Sequence, residues 1–401
     1  MRPCAIPGWL LLVGCLAAGP ARAEPETGTS APPPPFQLVR TLQSLQNEAA
    51  QGNRTAQAAQ QPLLRELAGA LERQDPELWK EPRNTRALVA YVLSGGPPGV
   101  LERVNDSGAL APLPEGLAAG ALAYVSGDAA KARPLLAPVD AVALGGLLGG
   151  QLALVQASLL ARAEPKRALE LLDQARLLAP GTLIEEGALR RAVMVSAETG
   201  DLDRLERALA QYERRFGASV YAAAFRQSFL SGLVRHDFGR EAEKFPRLLA
   251  ILRPLAPPEQ REALLLVARD ALLAGRFEQA RLASEAASQI EGADRSAQAR
   301  AGLYGAAAQL GLRRTTGAGG ALARLDPERL GPEDREILTN ARRIAAGITK
   351  WPAQATRVRP SETPPPELDS GLRQVASSVE RSLAEAQGLI EAKPRQRGMA
   401  R

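Results

Sequence analysis

Apolar residues recur at helical spacing along most of this 401-residue chain. Leu38, Leu42 and Leu45 follow one another at steps of four and three, and a second set beginning at Leu63 keeps the same spacing. A third helix is expected over about 83–93, ended by a Ser-Gly-Gly-Pro-Pro run. No segment alternates apolar and polar residues as a half-buried strand does. The pattern therefore predicts an all-α fold.

An internal repeat is expected between residues 111 and 350. Turns containing Gly or Ala recur at intervals of 36 to 39 residues, and a small residue is expected five positions on, as at Ala132, Ala168 and Ala280. The predicted turns lie at Gly127, Ala163, Gly200, Gly239 and Gly275, and Gly311 closes the series. Small residues let paired helices approach closely, and a turn glycine ends a helix. The spacing predicts a helical-hairpin solenoid.

The unit at 163–180 resembles the second helix of a tetratricopeptide repeat. Ala168, Leu172, Ala175 and Pro180 occupy that motif's small, large, small and terminating positions. The fold class predicted from the sequence is accordingly all-α, a tetratricopeptide-like helical-hairpin solenoid followed by a linker and a C-terminal helix.

Residues 141–161 carry no charge, which leaves two interpretations. The length suits a transmembrane helix. Four glycines and two glutamines within the segment weaken membrane insertion, however, and its second half falls where the repeat needs a buried first helix. We favour a core helix, with the paired glycines serving close packing.

The N-terminus has the pattern of an export signal. Arg2 precedes an apolar run over 9–18, and a small-x-small sequence ends at Ala23. We expect a soluble exported protein, cleaved after Ala23. The alternative is a lipoprotein, because Leu-Val-Gly-Cys ending at Cys15 resembles a lipidation box; only lipidation at Cys15 would attach the chain to a membrane.

Two proline-rich segments divide the rest of the chain. The second precedes an apolar stripe at helical spacing, which predicts a C-terminal helix that either packs on the array or binds a partner. The expected organisation is a signal peptide (1–23), a Pro-rich tether (24–35), an N-terminal helical region (36–110), a helical-repeat array (111–350), a Pro-rich linker (351–366) and the C-terminal helix (367–393).

Composition argues against side-chain catalysis. The chain has two Cys and one His, and export would remove both cysteines. His236, near a repeat turn, is expected to be structural or exposed. Thiol-relay, Cys/His zinc and Ser/His sites are therefore nearly excluded. Too few residues follow the array for the lysozyme-like domain of a murein-cleaving enzyme.

Other candidate motifs favour structural roles. Adjacent carboxylates such as Glu185–Glu186 and Glu333–Asp334 diverge by about 100° on a helix and do not face one cleft. The glycine-rich stretches lack the context of a phosphate loop, and Trp79 is expected to fill the core. The formal charge of +6 is spread along the chain, so no nucleic-acid-binding stripe is indicated. We predict no catalytic, cofactor-binding or metal-binding residue, and therefore not an enzyme.

Several segments resemble the MotC family of rhizobial motility proteins. These segments are 36–60, 79–96, 245–248, 275–287 and the final helix. The segment 79–96 is the most specific of them. The resemblance implies a periplasmic protein required for flagellar rotation that acts with the periplasmic part of the stator protein MotB. It assigns no partner-binding residue; the groove of the array is one candidate surface and 83–96 a second. Without the resemblance, a general envelope scaffold or lipoprotein adaptor would fit the same pattern.

Overall fold

The computed structural model describes residues 32–235, 244–349, 377–379 and 381. Within these ranges the secondary structure is helical and contains no strand, which confirms the predicted fold class. The helices are α1 (Pro35–Ala50), α2 (Arg54–Glu72), α3 (Pro82–Leu93), α4 (Gly99–Asp106), α5 (Leu117–Val125), α6 (Ala129–Leu136), α7 (Ala141–Leu144), α8 (Gly146–Leu160), α9 (Pro165–Leu178), α10 (Leu183–Thr199), α11 (Leu202–Phe216), α12 (Ala222–Arg235), α13 (Phe245–Leu252), α14 (Pro257–Leu273), α15 (Phe277–Gln289), α16 (Arg295–Gly311), α17 (Ala318–Arg324) and α18 (Pro332–Thr349).

Some predictions fall outside the described residues. These are the signal peptide, the Cys15 lipidation box, the turn at Gly239, His236 and the Pro-rich linker. Of the predicted C-terminal helix, only 377–379 and 381 are described, and they are helical. The chain divides into two units, 1–341 and 342–401. In the second unit, the last turns of α18 expose Ile344 and Ile348.

Successive helices of the first unit pack as hairpins. The pairs α5/α6, α8/α9, α10/α11 and α14/α15 are each joined by a short turn. Neighbouring hairpins then contact each other, as α9 contacts α10 and α15 contacts α16. This consecutive packing is that of a helical-hairpin solenoid.

Three of the predicted turns share one geometry. Gly127, Gly200 and Gly275 have φ of 80°, 72° and 74°, the left-handed region that favours glycine. In each turn the N–H of the glycine and that of the next residue donate to carbonyls three and five positions back. This is the Schellman motif, which satisfies the free carbonyls at a helix C-terminus. The positions five residues on, including Ala132 and Ala280, are fully buried.

The turn that closes the series lies two residues after the predicted position, Gly311. Gly311 is the last residue of α16, and the left-handed residue is Arg313, with φ of 60°. The N–H groups of Arg313 and Arg314 make the same two hydrogen bonds as the glycine turns. Gly311 instead lacks a side chain because the Phe277 ring occupies the place of its Cβ. It is a packing glycine.

Residues 141–161 form the core helix that the sequence favours, but a break at Gly145 separates α7 from α8. Gly149 and Gly150 allow close approach, since a Cβ on Gly150 would lie 2.9 Å from the Ala179 Cβ. The Gln156 amide donates to the carbonyls of Leu136 and Val139, at 2.8 Å each. In the described part of the chain, no helix is both long and apolar enough to cross a membrane.

Helix α3 lies in the interior of the first unit. Its apolar face is buried, and it contacts α1, α5 and α8. Trp79, just before it, is 3% exposed, which confirms that this side chain fills the core. The Trp79 carbonyl accepts hydrogen bonds from the Thr85 hydroxyl (2.6 Å) and the Ala111 N–H (2.9 Å). Segment 83–96 therefore joins the N-terminal helices to the array, and its apolar face is not free to bind a partner.

Candidate functional site

The predicted carboxylate pair Glu185–Glu186 lies at the start of α10, and both side chains are buried, at 2% and 0% exposure. Each has its own partners, as adjacent positions on a helix require. Glu185 accepts from the Gly181 N–H at 2.6 Å and pairs with Arg215 at 2.9 Å. The two carboxylates do not share a cleft.

Glu186 is the centre of a polar network inside the array. It accepts from the hydroxyls of Tyr212 (3.0 Å) and Ser219 (3.2 Å) and from Arg190 (2.8 Å). Burial, together with the neighbouring Glu186 charge, raises the pKa of Tyr212 far above its usual range. The Arg190 guanidinium also lies 5.4 Å from the ring centre of Tyr221. The network joins α10 to α11 and to the loop that precedes α12.

The second pair, Glu333–Asp334, occupies the first turn of α18, as the sequence predicts for charges at a helix N-terminus. Glu333 is exposed and pairs with Arg269. Asp334 is buried and accepts from the Tyr304 hydroxyl at 2.7 Å. Among the described residues, no cluster of His, Cys, Asp and Glu is arranged to hold a metal ion.

A cavity of about 230 Å³ lies where the N-terminal helices meet the array. Side chains of α1, α3, α8 and α10 line it, and several carry amides or hydroxyls. We call it the amide pocket. Its polar lining residues are Gln43, Gln46, Asn47, Ser94, Tyr124, Gln151, Ser158, Thr182 and Arg191.

Gln151 of α8 gives the amide pocket an unpaired acceptor. Its Nε2 donates to the Ser94 Oγ at 2.7 Å and to the Ala90 carbonyl at 3.2 Å. Its Oε1 is buried and has no hydrogen-bond partner among the described residues. The residue as a whole is 9% exposed. A buried acceptor left unpaired costs about 1–3 kcal/mol. The pocket therefore offers a site at which a ligand N–H group would be stabilised.

The α1 wall of the amide pocket carries a row of amides. Gln43, Gln46 and Asn47 lie three and four positions apart, on one side of the helix. The Gln46 Nε2 donates to the Ser94 carbonyl (3.4 Å), and the Asn47 Oδ1 accepts from the Leu183 N–H (3.0 Å). Gln43 is half-buried, and its side chain has no hydrogen bond within the described ranges. This row thus joins α1 to the array and leaves free amide groups in the pocket.

A second cavity, of about 620 Å³, lies beside the amide pocket along α8 and α10 and extends to α12. We call it the arginine groove. The two share Leu154, Ser158 and Arg191. Apolar side chains line the arginine groove together with Gly187, whose missing Cβ would lie 3.5 Å from the Leu154 Cδ2.

Two arginines at the arginine groove are free to bind an anion. Arg162 and Arg191 are exposed, and neither makes an ion pair in the portion of the chain that the structure describes. Arg190, by contrast, is paired with Glu186. The acid that lines the groove is Glu198, near the end of α10. Sequence reasoning proposed a groove in the array but named no residue, because these groups come together only through the packing of distant helices.

The consecutive hairpins place this chain among the helical-repeat solenoid proteins. A family model described as "Chemotaxis protein MotC" matches residues 2–397. The chain is also 31% identical over 366 residues to the Chemotaxis protein MotC of Rhizobium meliloti (strain 1021), covering 91% of this chain and 82% of that protein. The chain belongs to the MotC family, which confirms the resemblance seen in the sequence. It is a motility- and chemotaxis-related protein.

Proposed function

We propose that this protein acts in the periplasm, where it is required for flagellar rotation and binds the periplasmic part of the stator protein MotB. The observation that carries the proposal is membership of the MotC family over nearly the whole chain. Binding, rather than catalysis, agrees with the all-helical fold and with a residue inventory of two Cys and one His. A rigid array would hold the stator segment in a fixed position without a chemical step or a cofactor.

Export is part of the same proposal. The apolar run over 9–18 and the small-x-small sequence ending at Ala23 support cleavage after Ala23. Intact mass of the protein purified from its native host tests this point. A mature N-terminus at Glu24 is the expected result, whereas a lipid-modified Cys15 would replace the soluble form by an anchored one.

The decisive experiment is a deletion strain examined for both swimming and flagella. We expect assembled flagella that rotate poorly or not at all, with swimming restored by the wild-type copy. Normal swimming would overturn the proposal. A general envelope scaffold, the competing reading of this fold, would instead give shape or permeability defects in cells whose motors turn normally.

A pull-down with the mature protein tests the partner directly. The periplasmic part of MotB should be retained on the wild-type protein. An untreated support and an unrelated periplasmic protein serve as controls. The proposed partner would be contradicted if MotB were absent from the retained fraction and the purified proteins did not bind each other. This would hold even if the deletion strain showed the motility defect.

A further inference from the structure

We propose that the amide pocket and the arginine groove together bind an extended, acidic peptide segment of the partner. The amides would hold the main chain of the peptide, and Arg162 and Arg191 would pair with its carboxylates. This proposal rests on the proposed function, because the partner used as the probe is the periplasmic part of MotB.

The first step of the argument is the unpaired Oε1 of Gln151. This atom is buried and lacks a donor, and it belongs to a residue that lines the amide pocket. A peptide main chain supplies N–H donors and carbonyl acceptors in alternation. Gln43, which lines the same pocket from α1, carries a free amide with both a donor and an acceptor. The two side chains therefore match the main chain of a peptide whatever its side chains are.

The second step is that the two cavities are neighbours on one surface. They share Leu154, Ser158 and Arg191, and both follow α8 and α10. An enclosed small-molecule site would end at the amide pocket, whereas this surface continues to α12. Leu159 and Met194 line the continuation and provide contacts for an apolar side chain. The geometry thus favours an elongated ligand.

The third step is charge. Arg162 and Arg191 are exposed and unpaired within the described residues, while the neighbouring Arg190 is neutralised by the buried Glu186. Arginine matches the planar geometry of a carboxylate with two parallel hydrogen bonds. Glu198 also lines the groove and would repel an acidic side chain placed beside it. The acidic residues of the peptide should therefore lie towards Arg162 and Arg191.

Gly187 permits a variant that separates binding from folding. Its Cβ position is in ordinary contact distance of Leu154, so the first carbon of a side chain fits there, at a position that lines the groove. A helix is more stable with leucine than with glycine. We expect Gly187→Leu to bind the MotB periplasmic domain at least tenfold more weakly while melting at the same or a higher temperature.

Charge reversal tests the arginines. The double variant Arg162→Glu, Arg191→Glu should weaken binding at least tenfold and remove most of its salt dependence. The matched control is Arg207→Glu, Arg214→Glu on α11, which makes the same charge change at two exposed arginines that line neither cavity. The control should bind within twofold of wild type.

Calorimetry with the whole domain and with tiled 12-residue peptides from it completes the experiment. Wild-type protein should bind one or more acidic peptides, and Gln43→Ala should weaken that binding. If Gly187→Leu and the double charge reversal bind the domain like wild type, the groove assignment is wrong while the proposed function stands. Binding confined to neutral or basic peptides, or to the folded domain alone, also overturns it. Failure of the wild-type protein to bind the domain overturns both.

Discussion

Two regions of the array fill their interiors in different ways. Between α10 and α12, the buried contacts centre on Glu186, which binds Tyr212 and Ser219. Between α14 and α16, buried alanines pack together beside larger apolar residues such as Leu264 and Leu303, and the Tyr304 hydroxyl makes one buried hydrogen bond to Asp334. Ala271, Ala280 and Ala308 are each fully buried and packed against one another, with Phe277 beside them. The two regions share the hairpin architecture but differ in emphasis: a network of several groups around one buried carboxylate in the first, and mainly the packing of small apolar side chains in the second.

The difference has a physical meaning for the position of the groove. Alanine packing brings helices close together but is non-directional, so it specifies distance better than orientation. Hydrogen bonds to a buried carboxylate are directional, and here they fix α10 against α11 and the loop that leads to α12. The polar region is also where α1 and α2 contact the array, through Asn47–Leu183 and Gln60–Tyr221. Helix α10 lines both the amide pocket and the arginine groove, and these directional hydrogen bonds therefore fix the helix that carries the lining residues.

The sharpest way to break the polar region is Glu186→Ala. Arg190, Tyr212 and Ser219 would lose their common acceptor in the interior. Removing one member of a buried charged network costs about 3–5 kcal/mol, and we expect about 3 because Arg190 is 35% exposed. Urea unfolding followed by circular dichroism measures the change.

Glu186→Gln is the control for this prediction. The amide oxygen still accepts from Tyr212 and Ser219, whereas the charge opposite Arg190 and the hydrogen bond that Arg190 donates are lost, because the amide nitrogen cannot accept. We expect less than half of the effect of the alanine variant. If the glutamine and alanine variants were equally destabilised, the hydrogen bonds from Tyr212 and Ser219 would contribute little, and the interaction of Glu186 with Arg190 would account for the effect.

The alanine-packed region is best broken by adding atoms. Gly311→Ala places a methyl group where the Phe277 ring lies, and the atoms in conflict are near the root of that side chain. Overpacking of this kind costs about 2 kcal/mol. On the same helix, Gly302→Ala meets Leu325 only at 3.4 Å and should be neutral or stabilising, by up to about 1 kcal/mol. Similar melting temperatures for the two variants would contradict this account.

Local chemistry made much of the fold predictable. The turns at Gly127, Gly200 and Gly275 and the buried small residues Ala132 and Ala280 follow from helix termination and close packing, which act over a few residues. The family resemblance extended the prediction to the motility class of the protein.

The remainder depends on register between distant helices. Tyr212 and Ser219 reach Glu186 from 26 and 33 residues away, and Gln151 meets Ser94 across 57 residues. No spacing in the sequence marks these pairs. The candidate site is assembled from such contacts, which is why sequence reasoning could propose a groove but not its residues.

The Tyr212 hydroxyl makes the stability of the polar region depend on pH in the alkaline range. Its pKa is raised in the folded state by burial and by Glu186, so the stabilisation of the neutral form is present below pH 10 and is lost as pH rises above 10. The loss can reach about 1.4 kcal/mol per pH unit for each such tyrosine. Tyr212→Phe should cost about 1 kcal/mol at pH 8 and make the decline above pH 10 shallower.

Tyr304 provides the same measurement in the other region. Its hydroxyl donates to Asp334, and burial raises its pKa as well. Tyr304→Phe should therefore flatten the alkaline decline to a similar degree. In Tyr91, burial raises the pKa to about 12, so a residual decline between pH 10 and 12 should persist in both variants. A decline unchanged by either substitution would show that the tyrosines do not cause it.

The smallest expected effect concerns the turn that ends α16. Arg313 adopts φ of 60° where the equivalent turns have glycine, and a left-handed conformation costs a non-glycine residue about 1–2 kcal/mol. Arg313→Gly removes this strain but gives the unfolded chain more freedom, so we expect a net gain of about 0.5 kcal/mol. The reverse change, Gly275→Arg, should destabilise by about 1 kcal/mol, since nothing crowds the Gly275 Cβ position and only its φ of 74° is unfavourable. Thermal melts of both variants test the turn, and a loss of stability in Arg313→Gly would indicate that the Arg313 side chain makes a stabilising contact that outweighs the backbone strain.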